Sequence, residues 1–157
     1  MKIYLSVIGL LIFLSCESAK TMAETETPAQ DEKVIENITQ NKLNGKWILD
    51  YMSPVNGKDY KKLFQIQKPY LTFVDEAKVA GNNGCNNIAG YYTTEDSKIH
   101  FDTANFRSTR MYCEGVDEEA FVSVLKTING YDIINDGTKL VLLTGDIISM
   151  TLVKTED

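Results

Sequence analysis

Gly81-Asn82-Asn83-Gly84-Cys85-Asn86-Asn87-Ile88-Ala89-Gly90 runs directly into Tyr91-Tyr92-Thr93-Thr94, and the residues after the glycines decide the fold class. A Gly-rich loop opening onto a helix would read as the phosphate cradle of an α/β domain. This one opens onto aromatic and β-branched residues, which is strand chemistry. Gly and Asn adopt positive φ at low cost, so the stretch is a backbone-shaped turn that feeds a β-strand.

Outward from that turn the pattern stays β. Lys78-Val79-Ala80 leads in. Tyr70 to Val74 and Gly45 to Met52 are strands upstream, the latter carrying the single tryptophan and ending in the turn residues Ser53-Pro54-Val55-Asn56-Gly57. Downstream, Ile88 to Thr94 and Lys98 to Asp102 form a hairpin around Glu95-Asp96-Ser97. Ile99 and Phe101 alternate there with Lys98, His100 and Asp102, so this strand has one wet face. One helix interrupts the series. Asp117-Glu118-Glu119 puts negative charge in a first turn, Ala120, Phe121, Val124, Leu125 and Ile128 share one side, and Asn129-Gly130 stops it. Tyr131 to Ile134, Lys139 to Leu143 and Ile147 to Val153 follow as strands, joined by Asn135-Asp136-Gly137 and Thr144-Gly145-Asp146. Leu140 to Leu143 is apolar on both faces and needs cover on each. The expected fold is mainly β (α+β): a curled antiparallel sheet or open barrel of about seven or eight strands, with one main α-helix packed on it.

The chain opens with Met1-Lys2 and an apolar run from Ile3 to Leu14, the length of a signal-peptide core rather than of a membrane span. Ser15-Cys16 after that run resembles the lipobox of bacterial lipoproteins. The resemblance implies a signal peptide over 1–15, a lipidated Cys16 and a stable membrane anchor at the bacterial envelope, with the outer membrane as the expected location. Residues 16–33 are polar, acidic and low in aliphatics, and read as a flexible tether. The domain occupies 34–157, and Val34, Ile35 and Ile38 suggest a short helix within 31–43. Asn37-Ile38-Thr39 matches a glycosylation acceptor, discounted for a bacterial chain. A net charge of −6 gives no basic face for nucleic acid.

Of the three cysteines, Cys85 and Cys113 remain after lipidation, and an exported even pair is most simply a disulfide. It would close a loop of about 29 residues, worth about 3.5 kcal/mol in the chain-entropy model.

Gly84-Cys85-Asn86, a hairpin, and then Thr109-Arg110-Met111-Tyr112-Cys113 before an acidic helix resemble the META domain, the family that includes the HslJ-type heat-inducible envelope proteins. The resemblance implies a mostly antiparallel β fold with a helix, and an association with envelope stress and drug tolerance. It implies structural roles for Gly84, Asn86, Thr109 and Met111, and no catalytic residues.

Sharper chemistry finds little support in the residues. Cys85, Cys113 and His100 could suit zinc or copper, but no Cys-x-x-Cys or close His pair accompanies them, and no metal or other cofactor is expected. Nucleophilic catalysis would depend on His100 alone, the only histidine. The acidic helix start lacks the spaced Asp/Asn loop of a calcium site. Arg107 and Arg110 could receive an anion or a partner's carboxylate, with pairing to Glu114 or Asp117 the blander reading. Met111 and Tyr112 read as core packing beside the disulfide. The expectation is a non-enzymatic envelope lipoprotein, a stress-related binding or stabilising module for an envelope protein or small ligand. The alternative is a lipocalin-like carrier enclosing a small apolar ligand.

Overall fold

The computed structural model describes residues 42–75 and 77–156. The expected signal peptide, Cys16, the tether and all but the last residues of the expected 31–43 helix lie outside them. The described residues form nine strands: β1 (Gly45–Met52), β2 (Tyr70–Phe73), β3 (Lys78–Asn82), β4 (Asn87–Glu95), β5 (Lys98–Phe101), β6 (Arg107–Ser108), β7 (Gly130–Ile134), β8 (Lys139–Thr144) and β9 (Ile147–Lys154). Helix α1 spans Tyr60–Leu63 and helix α2 spans Glu118–Leu125.

Eight strands form one antiparallel path in the order β5-β4-β3-β2-β1-β9-β8-β7, with β6 added to β4. The two ends of the path meet. Tyr131 N donates to Ser97 O at 2.8 Å and Ile99 N to Asn129 O at 3.4 Å, a reciprocal pair of the antiparallel kind. The sheet is thus a nearly closed barrel, as the run of short strands around one helix predicts.

Inward residues of the strands fill this barrel. Trp47, Leu49, Leu71, Phe73, Tyr92, Phe101, Leu140 and Leu152 are all at most 2% exposed. Phe73 meets Tyr92 edge to face at 4.9 Å between centroids, with Phe101 completing the cluster. Buried aromatics with polar tips need partners: Trp47 Nε1 donates to Leu43 O at 2.6 Å and Tyr92 Oη to Asp75 O at 2.8 Å. Tyr131 Oη has none among the described residues, and burial pushes its phenol pKa up.

Two local departures from regular pleating matter. β1 bulges between Leu49 and Tyr51 where it pairs with β9, so the inside–outside alternation resets and Met52 returns to the core while Tyr51 faces out. The bulge residue Asp50 accepts from Lys139 Nζ at 3.0 Å and from Thr151 Oγ1 at 3.3 Å. The Lys139 hydrogen bond, with its charge and the Thr151 hydroxyl adding, outweighs desolvation and holds the Asp50 carboxyl below its usual range. Second, β3 runs on through Gly81 and Asn82, so the turn proper is shorter than the sequence suggests. β2 passes so close that a Cβ on Gly81 would lie 2.1 Å from Tyr70 O.

Helix α2 starts where the acidic residues place it: Asp117 caps it through Oδ1, which accepts from Ala120 N at 3.2 Å. It ends one turn early, because Thr127 bonds its hydroxyl to Val124 O at 2.8 Å and the chain tightens to bring Ile128 into the core. Phe121 anchors it edge-on to Phe64 at 6.4 Å. Val141 and its cross-strand partner Thr151, on the outer side of β8 and β9, are buried as well, which supplies the cover that the Leu140–Leu143 run requires.

Two outcomes test this packing. Tyr131→Phe removes a buried hydroxyl that makes no bond among the described residues and should leave the protein as stable or more stable by about 1 kcal/mol in urea unfolding. Asp50→Asn should cost under about 1 kcal/mol at neutral pH, because the pair is half exposed and screened. A carboxyl with a depressed folded pKa stabilises above its unfolded pKa and loses that contribution as pH falls through the folded one. The gap between wild type and variant should therefore close below about pH 4.

Candidate functional site: the asparagine turn and the groove beside helix α2

The turn between β3 and β4 is built by side chains that replace backbone partners. Asn82 Oδ1 accepts from Gly84 N at 2.8 Å, and Asn83 Oδ1 accepts from Cys85 N at 3.2 Å and Asn86 N at 2.7 Å. Such Asx bonds let the chain reverse where no ladder is available. Gly84 sits at φ +100, and a Cβ there would lie 2.7 Å from the Phe64 ring. Only glycine fits both constraints.

The turn delivers two residues to the segment after β6. Cys85 is disulfide-bonded to Cys113 with Cα atoms 5.8 Å apart. Asn86 is fully buried and uses every hydrogen-bonding position of its amide. Its Oδ1 accepts from Thr109 Oγ1 at 2.8 Å and Met111 N at 2.7 Å; its Nδ2 donates to Met111 O at 3.0 Å and to the Glu118 carboxylate. The Met111 backbone fixes the amide's orientation, since an N–H can only donate and a carbonyl only accept. Thr109 also donates its amide to Asn87 O and accepts from Asn87 N at Oγ1, both at 3.1 Å. The spaced Gly-Cys-Asn and Thr-x-Met-x-Cys segments are the two halves of one clasp.

Beside the clasp lies an open groove of about 710 Å³ between the Phe106–Tyr112 segment and α2. Ile88, Phe106, Met111 and Val122 give it apolar surface, and Arg110, Lys126, Glu118 and Glu119 give it charge. Phe106 packs against Gly90, where a Cβ would lie 2.1 Å from its ring. Tyr112, 91% exposed, separates this groove from a second of about 550 Å³ near Lys58, Lys62 and Gln65.

Several expectations change here. Met111 and Tyr112 are not core packing: their side chains are 55% and 91% exposed, because Asn86 holds Met111 by its backbone and leaves the side chain outside. Arg107 and Arg110 do not form one anion cradle. Arg107 lines a groove of about 220 Å³ with Tyr91 and Lys78, whereas Arg110 lines the large groove. Neither arginine is in an ion pair with Glu114 or Asp117 among the described residues, and Asp117 caps α2 instead. His100 is exposed on β5 opposite Thr93, and no cluster of three His, Cys, Asp or Glu exists among the described residues. Sequence reasoning missed the groove. Its signals were Val122, the apolar helix residue left off the buried side, and Gly90, whose missing side chain makes room for Phe106.

Fold and clasp together define a small antiparallel β-barrel domain with one main helix, fastened by a disulfide. The META domain family model matches residues 36–157, and the chain belongs to that family. No curated protein matches the sequence. The fold is similar to that of a DUF4847 family protein from Bacteroides vulgatus (16% identity, 76% of this chain and 99% of that one, TM-score 0.52). It is also similar to a protein from Burkholderia xenovorans solved by NMR (19% identity, 78% and 89% covered, TM-score 0.56).

Asn86→Ala should destabilise the domain by about 2–3 kcal/mol, because it strands the Met111 amide and carbonyl together. Asn86→Asp should be worse at neutral pH, since a carboxylate would face the Met111 carbonyl and Glu118. Chemical unfolding that finds either variant within about 0.5 kcal/mol of wild type would show that the clasp is not a structural element.

Proposed function

We propose that this META-domain chain is a non-enzymatic binding module of the bacterial envelope, held to the membrane, the outer one in our reading, by lipid on Cys16. It engages an envelope partner through the groove beside α2. The observation that carries this reading is the groove itself. It is preformed, concave and partly apolar, and it is edged by Met111 and Tyr112, large side chains that folding leaves in water. The filled barrel interior tells against a lipocalin-like carrier, whose ligand space would have to be where Trp47, Phe73, Tyr92 and Phe101 are packed. Binding rather than catalysis accords with a disulfide that occupies both described thiols and a histidine that stands alone on a strand surface. The stress and drug-tolerance role that the family resemblance implies would then be exercised through whatever the groove holds.

The test is photocrosslinking in intact cells. A crosslinking amino acid at Met111 should give a discrete adduct that the same group at exposed Ile134 does not. The Cys16→Ala chain should lose both the adduct and its membrane fractionation. Indistinguishable patterns from the two positions, in a strain whose deletion also leaves heat and envelope-drug sensitivity unchanged, would sink the proposal.

A further inference from the structure

The groove has one wall made of main chain, and some of its hydrogen-bonding groups are open among the described residues. β6 pairs with β4 through Ile88↔Ser108 and Ala89↔Arg107, and Thr109 N donates to Asn87 O. Two residues on, both backbone groups of Met111 are taken by Asn86. Thr109 and Met111 are therefore bonded towards the asparagine turn. Successive residues of an extended strand send N–H and C=O to opposite sides. Ser108 and Arg110 accordingly present theirs away from β4, on the groove side, where both residues are exposed. Among the described residues, β6 has no second neighbour in the sheet.

The facing wall is α2, which contributes Glu119, Val122 and Ser123, with Lys126 just beyond its end. A free strand edge across from a helix, with Met111 and Val122 lending apolar surface to the two walls and the mostly buried Ile88 at their base, is the geometry in which an extended segment adds as a further strand. Alternate side chains of such a segment would reach the apolar lining. The charges on the walls balance, Arg110 and Lys126 against Glu118 and Glu119, in a chain whose net charge is −6. A strip of that kind favours a segment of little net charge over a strongly acidic or basic one.

We infer that the groove binds an extended, apolar-alternating polypeptide segment of a partner protein by strand addition to the Ser108–Arg110 edge. This rests on the reading of the groove as a binding site and specifies its ligand. The main-chain pairing is the source of affinity, and the apolar lining of Met111 and Val122, with Ile88 at its base, selects the side chains.

Random octapeptides displayed on phage and selected on the immobilised mature chain supply the probe. The best peptide, synthesised, should shift and protect from exchange the Ser108 and Arg110 amides in NMR. An analogue N-methylated at alternate residues should lose at least about tenfold in affinity, the worth of one strong hydrogen bond. Ser108→Pro removes the outward N–H, together with the exposed Ser108 hydroxyl that donates to Thr109 O at 2.9 Å, and should weaken binding similarly, more than Ser108→Ala does, while leaving the β4 resonances in place. Four outcomes overturn the inference, the first three being no selected peptide, a peptide that maps elsewhere, or equal binding of the N-methylated analogue. Protection of the same amides by raising protein concentration alone would assign the edge to a second copy and also overturn it. If the peptide arm fails while the Met111 crosslink succeeds, the groove remains a binding site for another chemistry. If both fail, the groove reading itself falls.

Discussion

Asn86 is the side chain on which the rest of this fold depends. One buried amide joins three separate elements: the turn it belongs to, the segment after β6 and the first turn of α2. A primary amide can do this because it carries donors and acceptors in equal number at the two ends of a rigid plane. Aspartate would lack the donors, glutamine would place the plane a methylene too far out, and an apolar residue would leave the Met111 backbone unsatisfied. The neighbouring disulfide acts differently. Cys85–Cys113 limits the unfolded chain, by about 3.5 kcal/mol in the entropic account, and says little about fine geometry. The amide selects the native arrangement among those that the disulfide permits.

That division of labour leaves the groove beside α2 outside the barrel. The interior is closed by aromatic packing and by a seam at which the β5 and β7 ends exchange two backbone bonds. The Phe106–Tyr112 segment lies beside that closed interior, and the clasp holds it from beneath while leaving its outer side open. Rigid support under an exposed edge is how a binding surface is kept preorganised without being buried.

Much of the barrel was legible in the sequence because its signals are local. Alternation in Lys98–Phe101, the Asn135-Asp136-Gly137 turn, with φ of 52°, 52° and 87°, and the capping Asp117 each declare themselves within a few residues. The two cysteines were readable as a pair because no other thiol competes after Cys16. The hidden features depend on distance in space. β6 is two residues long and exists only because β4 lies alongside it. The exposure of Met111 could not be foreseen, since a methionine next to a disulfide usually packs inward and only the grip of Asn86 on its backbone turns the side chain out. The divergence of Arg107 and Arg110 has the same origin, a change of side along an extended segment whose register the sequence alone does not give.

The pairing of β1 with β9 has a consequence for how the protein comes into being. Trp47 lies against Lys154, so the first described strand finds its second neighbour only in the last described one. Synthesised from the N-terminus, the chain can form the β3–β4 hairpin and join Cys85 to Cys113, 28 residues apart, while β9 does not yet exist. β1 must meanwhile wait with the backbone N–H and C=O groups of one edge unpaired. Contacts of such high sequence separation fold slowly, and open edges invite pairing with the wrong chain. The protein's most dangerous interval is therefore set by its topology rather than by its stability, and loss of β9 (Ile147–Lys154) as a whole would make that interval permanent.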